Sequence, residues 1–272
     1  MAQTVLITGS STGIGKATAK WFQDKGWNVI ATMRSPQKEA ELTQLDNVLV
    51  TRLDVTDSES IQRAIAAGLD RFGSIDALVN NAGYGACGPL EAFPMESIRR
   101  QFDTNVIGLL DVTKAVLPHF RAQKSGILVN ISSIVGKVAF PLGTLYHGTK
   151  FAVEGISESL SYELASAGIK MKIVEPGAIA TEFAGRSFDF TNDESMVEYQ
   201  DIVKNFMGGF EGIVSHAAPV GLVAETIWNA VTDGTNTLRY LVGQDAESWD
   251  ANRKAMDDAA FIDSIKSQFG MT

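Results

Sequence analysis

Seven short runs rich in β-branched and aliphatic residues recur along the chain: Val5–Thr8, Val29–Thr32, Val48–Leu53, Ala77–Asn80, Ile127–Ile131, Lys170–Glu175 and Leu238–Val242. Each is parted from the next by a segment long enough for a helix. That alternation leaves few solutions, the simplest being parallel strands joined by helical crossovers, with helices on both faces of one sheet. The intervening segments agree: Ile61, Ile65, Leu69 and Phe72 fall on one helical stripe, and Ile98, Phe102, Val106, Leu109, Val116 and Phe120 on another. No internal repeat, low-complexity tract or Pro/Gly/Ser-rich linker interrupts the rhythm, so residues 1–272 are expected to form one doubly wound α/β domain.

Two regions fit the rhythm poorly. Residues 182–218 mix Gly185, Gly208, Gly209 and Gly212 with aromatic residues, the character of a substrate loop or lid. In residues 245–272, Asp, Glu and Lys surround Trp249, Phe261 and Ile265, which predicts a docked C-terminal helical tail with a solvated acidic face.

Charge excludes several partners. With 32 acidic against 23 basic residues the net charge is −9, and the bases form no runs, so neither nucleic acid nor an anionic membrane finds the concentrated positive field it needs. The single cysteine, Cys87, forms no intramolecular disulfide and reads as a small buried residue. His119, His147 and His216 show no metal-ligand spacing, so no metal is expected. Met1 leads into Val5, Leu6 and Ile7 with no charged leader, and no apolar stretch reaches about 18 residues, so a cytoplasmic location is expected.

The first predicted strand runs into Thr8-Gly9-Ser10-Ser11-Thr12-Gly13-Ile14-Gly15, and a helix carrying Ala17, Ala19, Trp21 and Phe22 begins there. A strand, glycine turn and helix N-terminus in series aim backbone N–H groups and the positive end of the helix dipole at one point, a seat for a pyrophosphate in a Rossmann-type sheet. A nucleotide-hydrolase loop would need glycine at Ser10 and a hydroxyl residue at Ala17, which excludes that chemistry. The second strand ends Thr32-Met33-Arg34-Ser35, where an acid would bond the ribose 2′-hydroxyl of NAD. Arg34 instead offers a forked, permanently charged donor suited to the 2′-phosphate of NADP, with Ser35 as a second donor. NADP(H) is therefore the expected cofactor, NAD(H) the alternative.

Tyr146 and Lys150 stand four residues apart in a helix-like segment that continues through Val153, Ile156 and Leu160, so their polar ends flank one small volume. A free tyrosine, with a pKa of about 10, is a poor base at neutral pH, and a nearby cation favours its phenolate. The serine pair Ser132-Ser133 ends the strand Ile127–Ile131, at the edge where α/β proteins place ligands, and its hydroxyl could polarise a carbonyl oxygen that also meets Tyr146.

With these residues assembled, the chain resembles the short-chain dehydrogenase/reductase family in its shorter, single-domain form. The resemblance runs from Thr4 to about Val242 and rests on several motifs in order: the glycine turn, Asp54-Val55-Thr56, Asn80-Asn81-Ala82-Gly83, Asn105-Val106-Ile107-Gly108, Ser132-Ser133, Tyr146 through Lys150, and Pro176-Gly177 followed by Thr181. Gly148-Thr149 stands where the family more often has Ala-Ser, a small-for-small change.

The resemblance implies roles. Ser133 would orient the carbonyl, Tyr146 would act as acid/base, Lys150 would bond the nicotinamide ribose, and Asn105 would hold a water for proton relay through Lys150. Gly9, Ser11, Thr12, Gly13, Ile14 and Gly15 would take the cofactor's phosphates, with Asp54 and Val55 on adenine. Asn81, Ala82 and Gly83 would shape the adenosine-ribose region, and Pro176, Gly177, Ile179 and Thr181 the carboxamide end. It further implies carbonyl–alcohol interconversion on an apolar small molecule such as a steroid or retinoid. A homodimer or homotetramer would be built on the helices near Ser97–Arg121 and Tyr146–Ala167. The alternative from another class, an NADP-binding sensor or scaffold, has no need of Asn105, Ser133, Tyr146 and Lys150 together. A sugar-nucleotide epimerase would carry a different glycine spacing and a larger substrate domain.

Overall fold

The computed structural model describes residues 2–182, 185 and 187–271, without the side chains of 210, 211 and 213–215. The chain opens with β1 (Thr4–Ile7), α1 (Gly13–Asp24), β2 (Asn28–Met33), β3 (Val48–Arg52), α2 (Ser58–Phe72) and β4 (Ala77–Asn80). A short β5 (Gly85–Cys87) precedes α3 (Met95–Phe102), a π-helical turn (Asp103–Ile107) and α4 (Gly108–Gln123). Then come β6 (Gly126–Ile131), α5 (Thr144–Ala165), β7 (Ile169–Pro176), β8 (Ile179–Ala180), β9 (Phe188–Phe190) and α6 (Gln200–Ser215). The chain closes with β10 (Ala218–Pro219), α7 (Val220–Thr232), β11 (Arg239–Val242), α8 (Gln244–Ala255) and α9 (Asp258–Gln268).

Seven strands form the main sheet in the order β11-β7-β6-β4-β1-β2-β3, and every pairing in it is parallel. The seven are the expected ones, with ends shifted by a residue or so. β1 pairs with both β2 and β4, so the winding reverses beside it and opens a crevice at the carboxyl ends of these strands. Alternate side chains go to opposite faces. Val5, Ile7, Val29 and Ala31 pack with Ala19 and Phe22 of α1 and with Val223 and Ile227 of α7. Leu6, Ile30, Leu78 and Leu128 pack with Ile61 of α2 and with Val112, Val116 and Phe120 of α4. Strands buried on both faces read as continuous apolar runs, which is why the sequence showed them without polar alternation.

The stripe expected from Ile98 to Phe120 is interrupted. Val106, Leu109, Val116 and Phe120 are buried, but Phe102 is 36% exposed. The cause is the π-helical turn between α3 and α4, whose wider coil rotates the residues before it out of phase with those after it. The segment 182–218 holds β9, paired parallel with β5, and the helix α6. Residues 183, 184 and 186 of that segment lie outside the described residues, as does residue 272 of the tail. The tail is two helices, α8 and α9, docked through Phe261, Ile265 and Phe269. Among the described residues no helix is long and apolar enough to cross a membrane.

Candidate active site

The glycine turn closes over the end of β1. Gly9 has φ +70°, and a Cβ on it would stand 2.9 Å from the Ala82 Cα. A Cβ on Gly15 would stand 2.4 Å from the Gly9 carbonyl oxygen and 2.5 Å from Asn81 Nδ2, so this glycine lets α1 approach the turn. Asn81 Nδ2 donates to the carbonyls of Thr8 (2.8 Å) and Gly9 (3.2 Å), while Thr8 Oγ1 accepts from the N–H groups of Asn81 (2.9 Å) and Ala82 (3.0 Å). Asn81 thus fixes the turn and, with Ala82 and Gly83, borders the cavity beside it. Thr12, the N-cap of α1, makes no side-chain capping bond, and the first turn carries no acid, so the helix presents N–H donors and a positive dipole end to an anion.

Gly9, Ser11, Thr12, Gly13 and Ile14 line a cavity of about 870 Å3 that runs along the strand ends, whereas Gly15 lies behind the wall. Arg34 borders the same cavity, is exposed, and makes no hydrogen bond or ion pair among the described residues. Ser35 does not reach it. The acids that follow β2 are held elsewhere: Lys16 Nζ lies 3.3 Å from Glu39 and 2.7 Å from Glu41. Asp54, Val55, Ala82, Gly83, Pro176, Gly177, Ile179 and Thr181 all border the cavity. The Asp54 carboxylate is oriented by the N–H (3.0 Å) and hydroxyl (2.8 Å) of Thr56. The chemistry of this donor set fits a dinucleotide phosphate: an uncapped helix end, a glycine cradle that a Cβ would obstruct, and an unengaged guanidinium.

At the middle of the cavity Ser133, Tyr146 and Lys150 come together. Ser133 stands two residues past β6 and its hydroxyl donates to the Pro176 carbonyl (3.1 Å) while bonding the Tyr146 side chain. Lys150 Nζ donates to the Ile131 carbonyl (2.8 Å) and stands 5.7 Å from the centre of the Tyr146 ring. Burial pushes the Tyr146 phenol above its ordinary pKa of 10, the neighbouring Cys87 thiol adds to this, and the Ser133 hydrogen bond opposes both. The Lys150 ammonium meanwhile is engaged by the Ile131 carbonyl. Lys150 itself is lowered to about 8 by burial, with Glu154 acting in the opposite sense.

Asn105 does not line the cavity. It is buried in the π-helical turn, where its Oδ1 accepts from Tyr84 N (3.1 Å) and its Nδ2 donates to Tyr84 O (2.8 Å) and Thr149 Oγ1 (3.2 Å). Thr149 Oγ1 also donates to the Tyr146 carbonyl (2.7 Å) and so ties the turn to the first turn of α5. Cys87 is buried, and burial pushes its thiol up to about 12, away from nucleophilic use.

The far end of the cavity was not legible in the sequence. Phe140, Phe188, Phe206, Trp249 and Phe269 line it, with Phe140 4.9 Å from Trp249 and 6.0 Å from Phe269 between ring centres. They come from five separate stretches, and no spacing rule links them. His147 borders the same wall; its Nδ1 accepts from Phe140 N (3.3 Å), and burial lowers its pKa to about 4, which leaves it neutral. Asp245, at the start of α8, also escaped notice: its Oδ2 accepts from Ala178 N (2.7 Å) and pins the loop between β7 and β8.

The comparisons agree with this geometry. The model of the short chain dehydrogenase family matches residues 3–194. An uncharacterised oxidoreductase of Schizosaccharomyces pombe is 43% identical over 244 residues, 88% of this chain and 100% of its own. The crystal structure of a short-chain dehydrogenase from Streptomyces avermitilis superposes with a TM-score of 0.84 at 33% identity, covering 100% of this chain and 99% of that one. ElxO, solved with NADP bound, superposes with a TM-score of 0.75 at 30% identity over 91% of this chain and 100% of its own. With its parallel seven-stranded sheet, its glycine turn and its serine, tyrosine and lysine at one cavity, the chain belongs to the short-chain dehydrogenase/reductase family.

Proposed function

We propose that this protein interconverts a carbonyl and a secondary alcohol on an apolar small molecule, with NADP(H) as cofactor. The observation that carries this reading is the convergence of Ser133, Tyr146 and Lys150 on the cavity that the glycine turn and Arg34 also line. Gly9, Ser11, Thr12, Gly13 and Ile14 would hold the phosphates, Arg34 the 2′-phosphate, and Asp54 and Val55 the adenine. Asn81, Ala82 and Gly83 would flank the ribose, while Pro176, Gly177, Ile179 and Thr181 would hold the carboxamide end. ElxO, a relative with the same fold, binds NADP. When bound, the cofactor supplies or accepts the hydride.

In reduction, the Ser133 hydroxyl turns its proton from the Pro176 carbonyl to the substrate oxygen and stabilises the charge growing on it, and Tyr146 Oη delivers the proton. Lys150 favours the phenolate left behind and holds the cofactor's ribose. Asn105 would hold a water for proton relay through Lys150, with its side chain fixed by Tyr84 and Thr149. Oxidation reverses these steps. The aromatic wall excludes water and selects an apolar substrate. Ser187, Phe188 and Phe206 come from segment 182–218 and border the cavity, which supports a covering role for that segment.

A screen of ketones and alcohols followed by NADPH absorbance tests the reading. Turnover of bulky apolar ketones is expected; NADPH binding without turnover on any of them would favour the sensor reading. The exposed apolar residues Phe102 and Ile107, before α4, and Phe151 and Tyr162 on α5 support a homodimer or homotetramer built on these helices. Sedimentation at micromolar concentration is expected to give an oligomer, and a monomer would remove that assignment.

A further inference from the structure

Three buried carboxylate oxygens have no hydrogen-bond partner among the described residues: Glu154 Oε1 and both oxygens of Glu175. Glu154 lies one turn beyond Lys150 on α5, and Glu175 precedes Pro176 at the end of β7; they are 6% and 0% exposed. Both face the same nitrogen, with Arg239 Nε 3.0 Å from Glu154 Oε2 and 3.4 Å from Glu175 Oε1. Arg239 Nη2 is taken by Glu158 at 2.6 Å. Lys137 Nζ stands 3.9 Å from Glu175 Oε2 and pairs with Asp250, which Lys254 also meets at 2.7 Å. The charged groups around the pair are therefore Lys150 and Glu158 from α5, Arg239 from β11, Lys137 from the turn after β6, and Asp250 from α8 with Lys254 behind it.

Two buried carboxylates around one guanidinium nitrogen repel each other, and burial adds to the cost of ionising both. The arrangement favours a proton on one of them. Burial first, and then the charge of Glu154, lift the Glu175 carboxyl to about 7. The link to the reacting groups is the four-residue spacing on α5, across which the Glu154 charge favours the Lys150 ammonium; the Glu154 stem itself is seated at a niche beside Gly136. A Cβ there would stand 2.8 Å from Ser132 Oγ, 3.0 Å from Glu154 Cγ and 3.0 Å from the Lys150 carbonyl oxygen. The Glu154 stem therefore packs against the backbone of Lys150 and near the buried, unpartnered hydroxyl of Ser132, next to Ser133.

We propose that Glu154 and Glu175 share one proton near neutral pH, with the remaining charge resting on Glu154 and keeping Lys150 protonated during turnover. Glu154 is thus a positioning residue that acts through Lys150. The proposal rests on the oxidoreductase reading above, since it assigns Glu154 a part in that reaction.

The test is the alkaline limb of the pH profile for ketone reduction, read beside the titration of the Lys150 side chain by NMR, identified by its loss in Lys150→Arg. Glu154→Gln removes a negative charge, so Lys150 loses its proton at lower pH and both limbs move down by about one unit, which is about tenfold in rate on that limb. Glu175→Gln copies the protonated partner and leaves the charge on Glu154, so both limbs stay close to those of the wild type. Glu154→Asp, which keeps the charge, restores the wild-type limb, and it carries the test with Glu175→Gln if Glu154→Gln does not fold. A downward shift of similar size in both Gln variants, or unmoved limbs in Glu154→Gln with only a loss of thermal stability, would overturn the proposal. A protein that turns over no substrate defeats the functional reading, while the Lys150 titration still decides the pair.

Discussion

The two ends of the cavity are built by different means. At the glycine-turn end the wall is backbone: the carbonyl of Gly9, the N–H groups at the start of α1 and the ends of β1 and β4, pinned by Thr8 and Asn81. At the far end it is side chain: Phe140, Phe188, Phe206, Trp249 and Phe269, contributed by loop, strand and helices. Backbone walls tolerate few residue types at a given position, so they bind one ligand chemistry. Side-chain walls can be rebuilt residue by residue without disturbing the sheet, so they are where substrate choice resides. Between them stand Ser133, Tyr146 and Lys150, fixed by β6 and α5.

Substitutions should therefore separate by region. The largest effect is expected for Lys150→Ala, which removes the cation proposed to serve both ribose and phenol: turnover should fall by at least about 100-fold and NADPH affinity should fall with it. Steady-state kinetics with fluorescence titration of NADPH checks this, and a variant with unchanged affinity would detach Lys150 from the cofactor. Arg34→Asp comes next. One charge-assisted bond to phosphate contributes about 1.5–3 kcal/mol, so the wild type should prefer NADPH over NADH by roughly tenfold or more, and the variant should reverse the ranking. Equal affinities in the wild type would mean that Arg34 only faces solvent.

Phe188→Ala probes the other end. Losing one ring from the wall should raise KM for bulky apolar ketones about three- to tenfold while NADPH affinity stays within about twofold. If affinity for NADPH falls instead, the two ends are not separable. The smallest effect is expected for Thr149→Ala, which deletes the bond from Asn105 Nδ2 and the one to the Tyr146 carbonyl. A loss of about 1 kcal/mol in chemical denaturation is expected, with turnover reduced less than about fivefold. A much larger loss of turnover would show that the π-helical turn is coupled to the reacting groups through this hydroxyl.

The same contrast explains what could be read from the sequence. The sheet was legible because strands buried on both faces are written as apolar runs. Tyr146 and Lys150 were legible because helical spacing alone brings them to one side, and the pair Ser132-Ser133 because a strand end places it, the choice of Ser133 coming from the family resemblance. The phase break at Phe102 was not, since it depends on a π-helical turn that a fixed 3.6-residue period cannot represent. Phe140, Trp249 and Phe269 lie far apart along the chain and meet only once α8 and α9 dock. Spacing predicts the neighbouring cation at Tyr146, but not the depth of burial of the phenol or the Ile131 carbonyl that engages the ammonium.

Tyr146→Phe tests the central claim most directly, because it deletes one hydroxyl and preserves the packing of the ring. The measurement is NADPH oxidation with the best ketone from the screen, beside a fluorescence titration of NADPH. A loss of about 10²–10⁴-fold in kcat with NADPH affinity essentially kept is the result that acid/base catalysis by Tyr146 predicts. A variant that retains more than about a tenth of the wild-type rate would contradict it, since a general acid contributes at least about 100-fold.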